Sequence, residues 1–292
     1  MPYERSFSRS STGCIIILID QSSSMGDPFG GDPRFRKCEV AADSINKLLN
    51  TLIADCQRHS EIRHYCDVGV IGYGGRDGVG PAFIHPHLKG RDLIPIPEIA
   101  NNADIEERQR KIPDGNGGLE EVTEQFPFWL KAVAETDTPM CEALQKTKRI
   151  LNDRILKYMQ SFPPIVINIT DGEVTDGSIP DMINYGNAIK ALSTNDGNVL
   201  LFNVHISTSN VQGVLFPKSA REIPQDEYSQ ALFEMSSPLT DFMIWNAHLL
   251  SEKYQSLERG CKCYGYDTNF EQFVHFLQIG VKVRMEHMDT RY

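Results

Sequence analysis

Residues Gly13 to Asp27 read Gly-Cys-Ile-Ile-Ile-Leu-Ile-Asp-Gln-Ser-Ser-Ser-Met-Gly-Asp, an apolar run that ends abruptly in an acid and three hydroxyls. Cys14 to Ile19 are consecutive apolar side chains, mostly β-branched, with no polar alternation. That pattern suits a central strand covered on both faces, as in a parallel sheet. Just past it, Asp20, Ser22 and Ser24 alternate with Gln21 and Ser23, so an extended turn can aim three oxygen-bearing side chains at one point. An oxygen-only cluster suits a hard cation such as Mg²⁺, which keeps several waters and needs only one or two carboxylates. The same serines equally suit the cap of a following helix, and the tripeptide alone does not separate the two readings.

Strand and helix patterns alternate along the rest of the chain. From Lys37 to Cys56, Val40, Ala41, Ile45, Leu48, Leu49, Leu52 and Ile53 recur at three- and four-residue steps and predict an amphipathic helix. Cys66 to Tyr73 predicts a second strand, and Pro81 to Ile84 a short edge strand. From His85 to about Ala134 periodicity weakens, and five prolines punctuate a charged stretch containing Asp114-Gly-Asn-Gly-Gly118. This reads as an insertion or an elaborate connection, and loops of that length are usually functional. Thr138-Pro139 opens a helix that continues to about Met159, with Thr138 or Asp137 as its cap. Pro164 to Thr170 predicts another buried strand, running straight into Asp171-Gly172. Helix 181–192, strand 198–207, one or two helices between Gln225 and Lys253, strand 262–266 and a last helix at 269–281 complete the pattern.

Such alternation predicts an α/β fold: a doubly wound, mostly parallel, Rossmann-like sheet with helices on both faces and one short antiparallel edge strand. The chain divides into a polar tail at 1–12, one domain at 13–282 elaborated at about 85–134, and a second tail at 283–292. Ligands of such sheets bind outside the carboxyl ends of the strands, near the point where strand order reverses. Asp20 and Asp171 each follow a buried strand directly, so neighbouring strands would bring both acids to one site.

The chain carries 29 Lys+Arg against 39 Asp+Glu, a net charge of −10, which argues against broad nucleic-acid binding. Seven scattered cysteines fit reduced core thiols in a cytoplasmic protein. Residues 1–12 lack a hydrophobic signal core, and no apolar run approaches the ~18 residues of a membrane span, so a soluble, unsecreted protein is expected.

Three motifs, Asp20-x-Ser22-x-Ser24, the helix-opening Thr138-Pro139, and Thr170-Asp171-Gly172, resemble in order and spacing the metal-ion-dependent adhesion site of von Willebrand factor type A domains. The resemblance spans about Gly13 to Val281. It implies that Ser22, Ser24 and Thr138 reach Mg²⁺, or Mn²⁺, through hydroxyls, while Asp20 and Asp171 hold it directly or through water. It also implies a sixth position open to an Asp or Glu of a protein partner, and hence a non-catalytic binding module. Intracellular bacterial members encoded in tellurite-resistance and stress operons are nearest in style. Family members commonly carry glycine before the threonine, whereas Glu135-Thr136-Asp137 precedes it here.

The alternative class is an enzyme, a metal-dependent phosphatase or phosphotransferase using Asp20. The haloacid-dehalogenase version of that chemistry needs a second acid two residues later, where this chain has Ser22. No phosphate-loop or nucleophile-elbow motif is present. His205 reads as a hydrogen-bonded core residue, His85 and His87 as surface residues, and Asp176 as the cap of a turn. Asp114, Glu120, Glu121 and Glu124 read as solvated acids. The cluster Phe242, Met243, Ile244, Trp245, Leu249 and Leu250 reads as packing on the sheet, with a partner-binding face as the alternative.

Overall fold

The computed structural model describes residues 2–113, 119–208, 213–267 and 270–281. Asp114 to Gly118, the side chain of Glu120 and the tail at 283–292 lie outside the described residues. The predicted central strand is β1 (Gly13–Asp20), buried along its whole length. Its alternate side chains feed two separate cores, as a doubly covered strand must. Ile15, Ile17 and Ile19 enter one apolar cluster, and Cys14, Ile16 and Leu18 enter the other.

The remaining elements follow in order. They are α1 (Lys37–Cys56), β2 (Cys66–Gly75), β3 (Gly78–Pro81), β4 (Ile94–Pro95), α2 (Ile96–Asn101), β5 (Asp104–Pro113), β6 (Leu119–Phe128) and α3 (Met140–Lys157). Then come β7 (Ile165–Thr170), α4 (Ile179–Lys190), β8 (Leu200–His205), β9 (Val214–Leu215), α5 (Glu227–Met235), α6 (Asp241–Leu250), β10 (Tyr264–Tyr266) and α7 (Phe270–Val281). The main sheet runs β9-β10-β8-β7-β1-β2-β3, with β4 also paired to β2. Pairs β1–β2, β1–β7, β7–β8 and β8–β10 are parallel; β3, β4 and β9 are antiparallel. The sequence led to one antiparallel edge strand, and the sheet has three short ones. Strand order proceeds one way from β1 through β2 to β3 and the other way from β7 through β8 to β10. The reversal therefore lies between β1 and β7, whose register pairs Ile19 with Ile169.

Helix α1 buries Val40, Ala41, Ile45, Leu48, Leu49 and Leu52 in the first core, while α3 buries Met140, Ala143, Leu144 and Leu151 in the second. Where the sequence led to a loose connection at 85–134, β5 and β6 form a long antiparallel ribbon in which Glu106 faces Phe126 and Arg108 faces Glu124. Its base is pinned to α1. Buried Asn46 accepts from the backbone N–H groups of Trp129 and Leu130 at 2.9 and 3.1 Å and donates to the Leu130 carbonyl at 3.0 Å. Residues 2–12 are also anchored rather than trailing. Phe7 is fully buried against Phe162, and the Asp196 carboxylate accepts from the backbone of Glu4 and Arg5.

Helix α6 splits the cluster read from the sequence. Met243 and Ile244 enter the core, whereas Trp245, Leu249 and Leu250 face outward. All seven cysteines are free and buried. Among the described residues no helix is long and apolar enough to cross a membrane.

Candidate metal site

Asp20 is the last residue of β1 and Asp171 the first after β7, so the parallel pairing of these strands sets both acids at one edge of the sheet, at the reversal of strand order. Asp20 is completely buried, and both its carboxylate oxygens are engaged. Oδ1 accepts from the Ser22 N–H at 2.9 Å, and Oδ2 accepts from the Thr170 hydroxyl at 2.8 Å. Burial first, and then the charge of Asp171, push the Asp20 carboxyl up to about 7 against the pull of those hydrogen bonds. Asp171 contributes a side chain only 6% exposed; its Oδ2 receives the Lys37 ammonium at 3.2 Å. Its Oδ1 is buried and has no hydrogen-bond partner among the described residues.

The hydroxyls approach from two further loops. Ser22 is buried, and its Oγ lies 3.1 Å from that of Ser24, in the single helical turn at Ser23–Gly26. Thr138 is buried immediately ahead of α3. Backbone bonds fix its loop beside the serines: Ser23 N–H donates to Thr136 O at 2.8 Å, and Glu135 N–H donates to Gln21 O at 2.8 Å. On its other side, Thr138 N–H donates to the Thr175 hydroxyl at 2.9 Å, and Thr175 N–H donates back to Thr138 O at 3.1 Å. The structure thus sets the five sequence-derived residues on one strand end, that of Asp20, and the loops adjoining it. Glycine at position 74 makes that approach possible: with φ at +93°, an added Cβ would lie 2.6 Å from Asp137 O and from Ser22 N.

Two expected roles fall elsewhere. Neither Thr138 nor Asp137 caps α3 with its side chain. Asp176 does so from the neighbouring loop, accepting from Cys141 N–H at 3.0 Å and Glu142 N–H at 2.7 Å, where a helix start favours an anion. The extra acid Asp137 is exposed. His205 is a buried core residue, as its strand pattern implied. Its Nε2–H donates to Asp171 O at 2.8 Å, which leaves Nδ1 to accept from the Ser229 hydroxyl at 3.0 Å. Burial lowers its pKa and keeps it neutral, so it anchors the Asp171 loop.

Three residues escaped the sequence reading. Thr170 stood inside the Thr-Asp-Gly motif without a role, and Gly74 looked like any loop glycine. Lys37 gave one signal, a cation opening a helix, where the dipole disfavours it.

The donor set fits a hard cation. Of the two buried carboxylates only that of Asp171 meets a buried ammonium, its Oδ1 lacks a donor, and the neighbouring hydroxyls supply further oxygens. Among the described residues no three His, Cys, Asp or Glu side chains cluster, so any ion here would depend on hydroxyl ligands.

These loops crown a doubly wound sheet at the carboxyl ends of its central parallel strands. The fold is a doubly wound, mostly parallel α/β sheet. No family model matches the sequence, and no curated protein matches it. Solved structures similar to the chain include a von Willebrand factor type A protein from Catenulispora acidiphila, at 15% identity and a TM-score of 0.38, covering 67% of this chain and 33% of that one. The manganese-loaded TRAP protein of Plasmodium vivax is similar at 16% identity and a TM-score of 0.44, covering 92% and 72%. The pilus adhesin RrgA of Streptococcus pneumoniae is similar at 15% identity and a TM-score of 0.30, covering 59% and 22%. The chain spans about a third of the first and about a fifth of the third.

Proposed function

We propose that this von Willebrand A-like chain is a non-catalytic protein-interaction domain whose binding face is a Mg²⁺ or Mn²⁺ site formed by Asp20, Ser22, Ser24, Thr138 and Asp171. The observation that carries the reading is the orphaned Asp171 Oδ1, buried beside a second buried acid and two paired serine hydroxyls. A bound ion would supply the missing positive charge and a coordination position for an Asp or Glu of a protein partner. The chain's own part is to hold the donors in place, Asp20 through Ser22 N–H and Thr170, Asp171 through His205 on its carbonyl, and Thr138 through Thr175. Ser22 stands two residues after Asp20, where haloacid-dehalogenase chemistry needs a second acid, and this favours the binding reading over phosphotransfer. The seven buried free thiols support placing it in a reducing compartment such as the cytoplasm.

Thermal melts with and without metal test the proposal. A ligand at about one hundred times its Kd adds about 2.7 kcal/mol to a fold that alone binds it. Wild type should melt higher in saturating Mg²⁺ or Mn²⁺, and Asp20→Ala and Asp171→Asn should lose that increment. An increment of equal size in both variants would place any bound metal elsewhere and end the proposal.

A further inference from the structure

Among the described residues Lys37 is the one buried lysine, and its position is doubly unfavourable. Lysine is seldom buried without a partner, and a helix N-terminus repels a cation. Lys37 nevertheless opens the long helix α1 with its side chain 5% exposed, its backbone N–H donating to Asp27 O at 3.0 Å. Its ammonium lies 3.2 Å from Asp171 Oδ2 and 4.0 Å from Asp27 Oδ2. The Asp27 carboxylate is more than half exposed and correspondingly screened, which leaves Asp171 as the strong partner.

The site is thus partly neutralised by the chain itself. Asp20 and Asp171 bring two negative charges when ionised, and Lys37 returns one. A divalent ion entering beside a retained Lys37 leaves one positive charge in excess, and it must share Asp171 with an ammonium that repels it. An arriving carboxylate would cancel that excess. We infer that Lys37 is a built-in competitor for the divalent ion, which weakens metal binding to the free domain and makes firm loading depend on a carboxylate ligand. The inference rests on the metal-site reading above and adds to it a coupling set by one residue. Coupling of this kind is reciprocal, so the metal and the carboxylate each strengthen the other's binding.

The experiment titrates Mn²⁺ alone into the full chain by calorimetry, for wild type, Lys37→Gln, Lys37→Arg and Asp171→Asn, and repeats the series in acetate as a carboxylate probe. Gln keeps a hydrogen-bond donor for Asp171 while removing the charge; Arg keeps the charge. Lys37→Gln should bind Mn²⁺ at least tenfold tighter than wild type, Lys37→Arg should stay weak, and acetate should tighten wild type more than Lys37→Gln. Equal affinities for wild type and Lys37→Gln, or an equal response to acetate, would overturn the competitor role while leaving the metal site standing. Undiminished binding in Asp171→Asn, or no binding in any variant, would overturn the metal reading itself and the competitor role with it. Should Lys37→Gln fail to fold, amine labelling of wild type decides the matter. Mn²⁺ with acetate should change the reactivity of the Lys37 ammonium, and an unchanged reactivity would overturn the inference.

Discussion

Alanine at position 74 perturbs the candidate site without replacing any proposed ligand. Gly74 and Gly78 lie four residues apart at positive φ, +93° and +74°, so both force alanine into a backbone region that L side chains avoid. That strain costs about 1–3 kcal/mol at either position. Their surroundings differ. A Cβ at Gly78 meets nothing within 4 Å, whereas one at Gly74 lies 2.6 Å from both Asp137 O and Ser22 N, and both neighbours are backbone. Ordinary van der Waals contact begins at 3.4 Å, so the two loops must part by about 0.8 Å. Overpacking of that kind adds about 1–3 kcal/mol. At roughly 2 °C per kcal/mol for a large domain, Gly74→Ala should melt about 4 °C below Gly78→Ala. The larger effect should be on metal. Ser22 and Thr138 sit on the two loops being forced apart, and Mg²⁺ demands near-ideal octahedral geometry at about 2.0–2.1 Å. Mn²⁺ calorimetry on both variants should show at least a tenfold weaker site in Gly74→Ala and little change in Gly78→Ala. Wild-type affinity in a folded Gly74→Ala would refute the claim that loop apposition builds the site.

Two predictions concern the frame around the site. Lys190 and Lys262 both donate to Glu234 O, at 3.2 Å each, near the C-terminus of α5. Burial, aided by the charge of Lys262, pushes the Lys190 ammonium from 10.5 down to about 8. Between those values the unfolded chain binds more protons at this site than the folded one, so the contribution of Lys190 to stability grows as pH rises from about 8 towards 10, against the opposite contribution of buried thiols such as Cys14 and Cys141, which burial pushes up to about 12. Urea midpoints of wild type and Lys190→Met at the two ends of that window should show it, the difference between them moving in favour of wild type at the higher pH; an unchanged difference would refute the Lys190 contribution. Asn46→Ala removes three hydrogen bonds to buried backbone at the base of the β5–β6 ribbon, and each group left unpaired costs about 1–3 kcal/mol. Faster hydrogen exchange at Trp129 and Leu130 should accompany that loss, and unchanged protection there would show that Asn46 does not anchor the ribbon.

The central sheet was legible because burial on both faces leaves an unbroken apolar run, as in Cys14 to Ile19 and in Ile165 to Ile169, where Asn168 alone interrupts. Asn168 is tolerated by pairing, since its Oδ1 accepts from the Tyr73 hydroxyl and its Nδ2 donates to Asn203 Oδ1. Placing Asp20 and Asp171 together needed only the rule that parallel strands share a carboxyl edge. The β5–β6 ribbon was illegible for the opposite reason. It packs on little, Ile105 and Val122 face solvent, and charged residues such as Glu106 and Glu107 follow one another without a buried face to impose alternation. Pro113 and Pro127, taken as breaks, lie within its strands. The place of Lys37 at a helix start was legible, but its pairing was not, because its partner is 134 residues away and local pattern carries no information about such a pair.

Charge explains why the site is unlike the rest of the interior. Elsewhere a buried cation meets an acid of its own: Arg154 Nη2 donates to Thr12 O, the Thr12 hydroxyl and Gly13 O, and pairs with Asp67 at 3.0 Å, while its Nε has no acceptor among the described residues. That arrangement ties α3 to the starts of β1 and β2, at the amino edge of the sheet. At the carboxyl edge the buried ammonium of Lys37 pairs with Asp171 and not with Asp20, one Asp171 oxygen stays without a donor among the described residues, and the Asp20 carboxyl is driven towards neutrality. Apolar residues of similar volume would usually pack at least as stably as an incompletely paired cluster. The two edges of one sheet therefore differ in kind. At the amino edge one cation meets one acid, and the carboxyl edge is short of positive charge, which a divalent ion ligated by the same oxygens would provide.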